Sequence, residues 1–278
     1  MSGCCVSVLY GFTSCLQGLS RFLLACLLVA GISPQLLAGE MKAPPELRIA
    51  YVEFPPYTYR NSDGEAAGSV IEITRKVVSE AGYRPDFIHL PVSRAYLYLG
   101  SGEVDVWPGL SRIPALYGDV LESWSSPMPV HLSAWYLAST PPLENFQQLD
   151  GKRVIVFGGY TYRGLAAWLE RRDQVQVTQA PNHRAGLDML KRGRGHYLLD
   201  YREPVGEVLQ LPEDRDIRES RVRSRHVVWL FSMANPRAAV LREAFDDAYL
   251  RLLERGEVPP QNDPDNGFLI PGFPEQFH

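Results

Sequence analysis

Cysteine is missing from most of this chain. All four, Cys4, Cys5, Cys15 and Cys26, lie near the N-terminus, so the remainder has no disulfide, no thiol nucleophile and no cysteine-ligated metal. Its fold must rest on burial alone. Positive charge is in deficit: 28 Lys+Arg stand against 32 Asp+Glu, a net charge of −4. That balance argues against nucleic acid as a partner and favours solubility. Enzyme signatures are missing as well, with no HExxH, no P-loop, no G-x-S-x-G and no GxGxxG following a strand. His89, His131, His183, His196, His226 and His278 show no metal-ligand spacing. No cofactor and no metal are expected. Low-complexity stretches and fixed-period repeats are absent, and no long apolar run follows residue 38.

One such run does precede it. Arg21 stands before the apolar stretch Phe22–Ile32, Pro34 breaks the segment, and Leu36-Leu37-Ala38-Gly39 offers small residues for cleavage. The stretch is short for a bilayer span and has the order of a secretory signal over residues 1–38. A retained anchor is the main competing reading. A lipoprotein reading through Leu23-Leu24-Ala25-Cys26 fits less well, because apolar residues follow the cysteine where a polar tether is expected. Without residues 1–38, about 240 residues remain, enough for two modest domains or one large one.

Along that remainder, short apolar strands alternate with amphipathic helices, the pattern of an α/β protein. Leu47–Val52 reads as a strand, and Asn61-Ser62-Asp63-Gly64 as a tight turn. A helix follows with Val70, Ile73, Thr74, Val77, Val78 and Ala81 on one face, closed by Gly82. Asp86–Leu90 is a second strand, Ser93 an N-cap for a helix over Arg94–Leu99, and Val104–Trp107 a third strand. A similar unit begins after Pro141-Pro142. It has strands at Val154–Phe157, Val175–Thr178 and Tyr197–Leu199, and helices at Tyr162–Glu170 and after Asn182. A last long helix, Pro236–Glu254, carries Leu241, Phe245, Tyr249, Leu252 and Leu253 as a core face.

Several segments, in order, resemble the family 3 bacterial extracellular solute-binding proteins of the polar amino-acid type. Leu47–Tyr57 is similar to the family's first strand and "PPF/Y" loop; Asp63-Gly64 with Gly68 is similar to its "DG…G" turn. Leu99–Asp105 looks like the "L…SG…D" element, and Trp124-Ser125-Ser126-Pro127 stands where the family has "FS.PY". Leu149–Val154 resembles "L.GK.V", Asp200 falls where the second lobe's "D" follows its strand, and Met233–Pro236 with Leu241 and Gly256 matches the closing strand and helix.

This resemblance implies the type II periplasmic-binding fold: two α/β lobes, each a mostly parallel sheet flanked by helices, joined by two crossing strands. Lobe one would hold residues 45–129 plus 229–275, and lobe two 130–228. It also implies a monomer in the periplasm that captures a small polar, amino-acid-like ligand for an inner-membrane ABC permease or a sensor protein. A cleft at the carboxyl ends of the strands is where ligands collect in such sheets. Amino-acid-binding members carry an arginine in a "T.ER" motif that forks onto the ligand carboxylate. Here the matching stretch is Ile113–Gly118, which has none. Arg112, a few residues earlier, and Arg94 are the substitutes. By the same resemblance Asp200 receives a ligand ammonium, and Glu53 lies where an acid reads the ligand side chain. Phe54 and Tyr57, after the first strand, can stack on the ligand. Tyr160 and Thr161, between a strand and a helix, can offer N–H and hydroxyl groups to an anion.

Two other classes remain open. A periplasmic dehydratase of the cyclohexadienyl type resembles the same fold, with Glu53 or Asp200 as general acid. A ligand-sensing partner of a membrane receptor would use the same clamp as a transporter.

Overall fold

Leu47 and Ile49 alternate with Arg48 along the first strand, β1 (Glu46–Tyr51), and send their side chains into a core shared with two helices. The computed structural model describes residues 43–209, 214–260 and 268–273. The expected signal segment lies outside the described residues. After β1 comes a small hairpin, β2 (Tyr59–Arg60) and β3 (Ala66–Ala67). Its turn is organised by Asn61, whose side-chain oxygen accepts from the N–H groups of Asp63 and Glu65 at 3.0 and 2.8 Å. Helix α1 (Ser69–Glu80) then buries Val70, Ile71, Ile73, Thr74, Val77 and Val78. Gly68 before it has φ 115°, and a Cβ there would lie 2.3 Å from the Tyr57 carbonyl oxygen. Only glycine allows that close approach.

The first lobe continues with β4 (Arg84–His89), α2 (Val92–Ser101) and β5 (Val106–Leu110). The Ser93 cap does not form. Pro91 occupies the cap position with φ −61°, and the helix starts at Val92, so Ser93 is already inside the first turn. β1 pairs in parallel with both β4 and β5. Short β6 (Val120–Glu122) follows, then β7 (Met128–Leu137).

The second lobe repeats the plan with β8 (Arg153–Phe157), α3 (Leu165–Glu170), β9 (Gln176–Ala180), α4 (His183–Lys191), β10 (Tyr197–Tyr201) and α5 (Arg202–Val208). β8 is parallel to both β9 and β10. Asn182 caps α4 as expected, accepting from the Ala185 N–H at 2.8 Å. The helix expected from Tyr162 is broken instead. Tyr162–Gly164 is a 3₁₀ turn, and the left-handed Arg163 (φ 53°) delays the α-helix to Leu165.

The long strand β11 (Ile217–Ser232) joins the lobes. Its first part runs antiparallel to β7, and its last part antiparallel to β5 and β6. β7 in turn pairs with β10. Apart from the β2–β3 hairpin, the described strands form one nine-stranded sheet in the order β4-β1-β5-β11-β7-β10-β8-β9, with β6 beside β11. Two parallel triplets are bridged by two antiparallel crossing strands. Helix α6 (Ala238–Glu254) closes the first lobe, with Leu241, Phe245, Tyr249 and Leu252 buried against Trp229 and Phe231. Trp229 is fully buried and donates its indole N–H to Thr74 Oγ1 at 3.0 Å. Burying such a side chain stabilises by about 1.5–3 kcal/mol. Segment 268–273 lies against the second lobe, where Phe268 and Phe273 pack edge-on and tilted around Phe146. Among the described residues no helix is long and apolar enough to cross a membrane.

Candidate functional site

Parallel strands end on one edge in each lobe, and both edges face one cavity. From lobe one, the chain leaving β1 supplies Phe54, Tyr57 and Thr58, the start of α2 supplies Val92 and Tyr96, and β5 supplies Trp107 to Leu110. From lobe two, the chain leaving β8 supplies Tyr160, Thr161 and Tyr162, and β10 ends in Tyr201. β11 contributes Arg225 and Val227. About 570 Å³ of non-atom space lies among these residues, some of it open to solvent. The wall is dominated by aromatic rings, and among the described residues Arg225 is its one charged residue.

The lobes touch across this cleft. Phe54 packs against Tyr201 and Tyr160 at centroid distances of 5.4 and 6.3 Å. Tyr96 from lobe one and Thr161 from lobe two line the same cavity. Tyr57 donates its hydroxyl to the Pro129 carbonyl at 2.9 Å, tying the β1 loop to a crossing strand. Behind the second-lobe wall, Phe157 stacks between Tyr160 and His183 at 4.2 and 4.8 Å. Offset ring contacts of this kind hold the wall rigid.

Burial sets the ionisation of the phenols. It pushes Tyr160, Tyr162 and Tyr201 above the usual tyrosine value, with the Asp200 charge adding to the effect on each. Burial raises Tyr57 too, and pushes Tyr96 up to about 12. Every one of these hydroxyls is protonated near neutral pH and can donate.

Of the residues singled out from the sequence, Phe54, Tyr57, Tyr160 and Thr161 line the cavity together. Glu53 does not: it points to the outer side, with His89 Nε2 at 3.6 Å and the Arg60 N–H at 3.4 Å. Arg94 and Arg112 are exposed and outside the wall. Arg112 sits in the left-handed region (φ 53°), its N–H on Glu122. Asp200 is placed inside β10 rather than past its end, 1 % exposed. Its carboxylate takes the His183 Nδ1 at 2.7 Å and the Tyr201 N–H at 2.8 Å. It stands behind the wall and does not line the cavity.

The residues unforeseen from the sequence are Tyr96, Trp107, Tyr162, Tyr201 and Arg225. Tyr201 ends β10, and the carboxyl end of a strand by itself flags cleft residues in open sheets, whereas Trp107 is only the second residue of β5. Arg225 had no such signal, because it lies in the charge-rich run Arg218–His226 that reads as solvated surface. Arg225 pairs with Val130 on β7 and is buried there, to 1 % exposure. Its Nη2 donates to the Ser111 carbonyl and its Nη1 to the Tyr201 hydroxyl at 3.3 Å. Among the described residues no group of His, Cys, Asp and Glu is arranged to hold a metal.

No curated protein sequence matches this chain. Solved structures do. A histidine kinase sensor domain with similarity to periplasmic binding proteins superposes with a TM-score of 0.66 at 18 % identity, over 77 % of this chain and 92 % of that one. An ancestral arginine-binding protein bound to arginine gives 0.65 at 17 % identity, over 78 % and 96 %. A substrate-binding protein of an ABC uptake transporter from Streptococcus pneumoniae, with bound histidine, gives 0.63 at 17 % identity, over 76 % and 88 %. At such identities the likeness concerns the fold. Residues 47–115 match the family model of the bacterial extracellular solute-binding proteins, family 3, and the chain around them has the type II periplasmic-binding fold.

Proposed function

We propose that this protein is a solute-binding clamp that captures a small molecule between its two lobes outside the cytoplasm. The observation that carries this reading is the aromatic cavity at the facing carboxyl edges of two parallel sheets, joined by crossing strands suited to a hinge. On this reading the N-terminal segment directs export to the periplasm, and the mature monomer hands its ligand to an ABC-type permease. Lobe one then comprises residues 45–129 and 229–260, and lobe two residues 130–228 with segment 268–273 packed on it. Phe54, Tyr57, Tyr160 and Thr161 contact the ligand. The two carboxylates considered as general acids, Glu53 and Asp200, stand outside the cavity wall, which favours binding over dehydratase chemistry.

A sensing role is the second reading, favoured by the likeness to a histidine kinase sensor domain that is covered over nearly its whole length. Deleting the protein separates the two: loss of ligand uptake supports the transporter, whereas intact uptake with loss of ligand-dependent phosphorylation supports the sensor.

A thermal-shift screen against amino acids, polyamines, opines and short organic acids tests the clamp itself. A ligand at a hundred times its dissociation constant adds about 2.7 kcal/mol to native stability. Small-angle scattering with that ligand should show a smaller radius of gyration. A panel without any shift, or saturation without compaction, would count against the clamp.

A further inference from the structure

The chemistry of the cavity wall narrows the ligand, on the reading that this cavity is the binding site. Three of its side chains carry buried donors with no acceptor among the described residues: the Trp107 indole N–H, the Tyr160 hydroxyl and the Arg225 Nε–H. Native proteins pair nearly all buried polar groups, because an unpaired one forfeits its hydration without return. Three such groups around one cavity, from lobe one, lobe two and the crossing strand, are left for an acceptor that a ligand would bring. An indole and a guanidinium donate only. The Tyr160 hydroxyl, raised by burial and then by Asp200, stays a donor as well.

The complementary polarity is used elsewhere. Among the described residues no Asp or Glu lines the cavity. The Asp200 carboxylate is committed to His183 and the Tyr201 N–H. Glu203, on α5, is committed to the His131 ring at 2.7 Å and to its backbone N–H. An ammonium group in the cavity would therefore face the buried guanidinium of Arg225 with no carboxylate to offset it. An anion would meet donors only, in a setting dry enough to strengthen them.

We infer that the site binds a small organic monoanion, a carboxylate with a compact aromatic or branched apolar body and no ammonium group, anchored on Arg225 together with Trp107 and Tyr160. Arg225 on the crossing strand then does the work that Arg94 and Arg112 are too exposed to do. Because β11 belongs to both halves of the sheet, an anion held there sits at the pivot between the lobes.

Isothermal titration with two matched series tests this. The first is 3-phenylpropanoate, 3-phenylpropanamide, phenylalanine and 2-phenylethylammonium; the second is 4-methylpentanoate, its amide, leucine and 3-methylbutylammonium. The carboxylate should bind best in at least one series, about tenfold or more above its amino acid, amide and ammonium counterparts. Arg225→Met should weaken that binding roughly thirtyfold or more, and Arg225→Lys should recover part of it. If Arg225→Met fails to fold, the selectivity of the unaltered protein decides alone. An amino acid, amide or ammonium binding as tightly as its carboxylate overturns the inference and leaves the clamp standing. So does binding of neither series when the wider screen yields a ligand of another class. Silence in both the series and the wider screen removes the clamp reading along with it.

Discussion

Each lobe buries two of the described aspartates, and one from each, Asp105 and Asp200, are held in different ways. In lobe one Asp105, just before β5, is 7 % exposed and receives Arg48 Nε and Nη2 at 3.0 and 2.9 Å, the Arg48 N–H at 3.0 Å and Asn235 Nδ2 at 2.9 Å. Burial alone would raise its carboxyl, but the Arg48 hydrogen bonds and charge outweigh that and leave it below the ordinary value. In lobe two Asp200 is tied to His183, itself only 5 % exposed. Arg48 keeps nearly half of its side chain in water; His183 has almost none. The difference lies in what each partner does once its aspartate is gone. Arg48 can rehydrate, and His183 cannot.

The comparison is broken most severely at Asp200. Asp200→Ala should leave the His183 ring and the Tyr201 N–H unpaired in a dry interior and cost about 3 kcal/mol of folding stability. A denaturation curve measures it, beside titration of whichever solute the screen finds. The stability loss should exceed the loss in binding free energy. Unchanged stability with abolished binding would instead return Asp200 to the ligand-facing role its place in the sequence suggests.

Asp105→Ala sharpens the same contrast from the other side. It removes a tie between β1, β5 and the turn after β11, but its cationic partner is half in solvent. The expected cost is about 1–2 kcal/mol, smaller than at Asp200, with affinity unaltered. Equal losses at the two positions would mean that partner burial does not set the penalty.

The smallest effect belongs to the exposed rim of lobe one. Arg255 foremost, at 2.7 Å, and Arg251 at 2.8 Å hold the Glu80 carboxyl down to about 2, from an ordinary value of 4.5. A carboxyl depressed in the folded state stabilises it above the unfolded value, and that contribution disappears as pH falls through the folded one. Glu80→Gln should therefore melt slightly below the unaltered protein at pH 6 and level with it near pH 2. Salt should narrow the gap at pH 6, since the pair is exposed. A gap that widens in acid would contradict the ion-pair account.

Residues whose partners are near in sequence, or whose spacing follows a period, were legible from the chain alone. Val70, Ile73, Val77 and Val78 on α1, the Asn182 cap and the apolar face of α6 appear where the pattern puts them. So does the strand–helix succession in both lobes, together with the aromatic loop residues Phe54 and Tyr57. The miss at Ser93 came from one neighbour, Pro91, whose locked φ starts the helix early.

Strand β11 was not legible. Ile217–His226 alternates arginine, serine and glutamate in the manner of a solvated edge, yet Arg223 and Arg225 are each 1 % exposed. Exposure there depends on β7 lying alongside, a partner roughly 90 residues away in the register, and on Phe268 bridging Arg223 from the other side. Asp200 was misjudged for the same reason, because His183 reaches it only once α4 packs beside β10. The order of elements is a local matter, governed by side-chain period and caps, and the sequence by itself determined it. Which charges are hidden, which are already paired, and which one faces the cavity depends on long-range packing, and only the tertiary structure decided that.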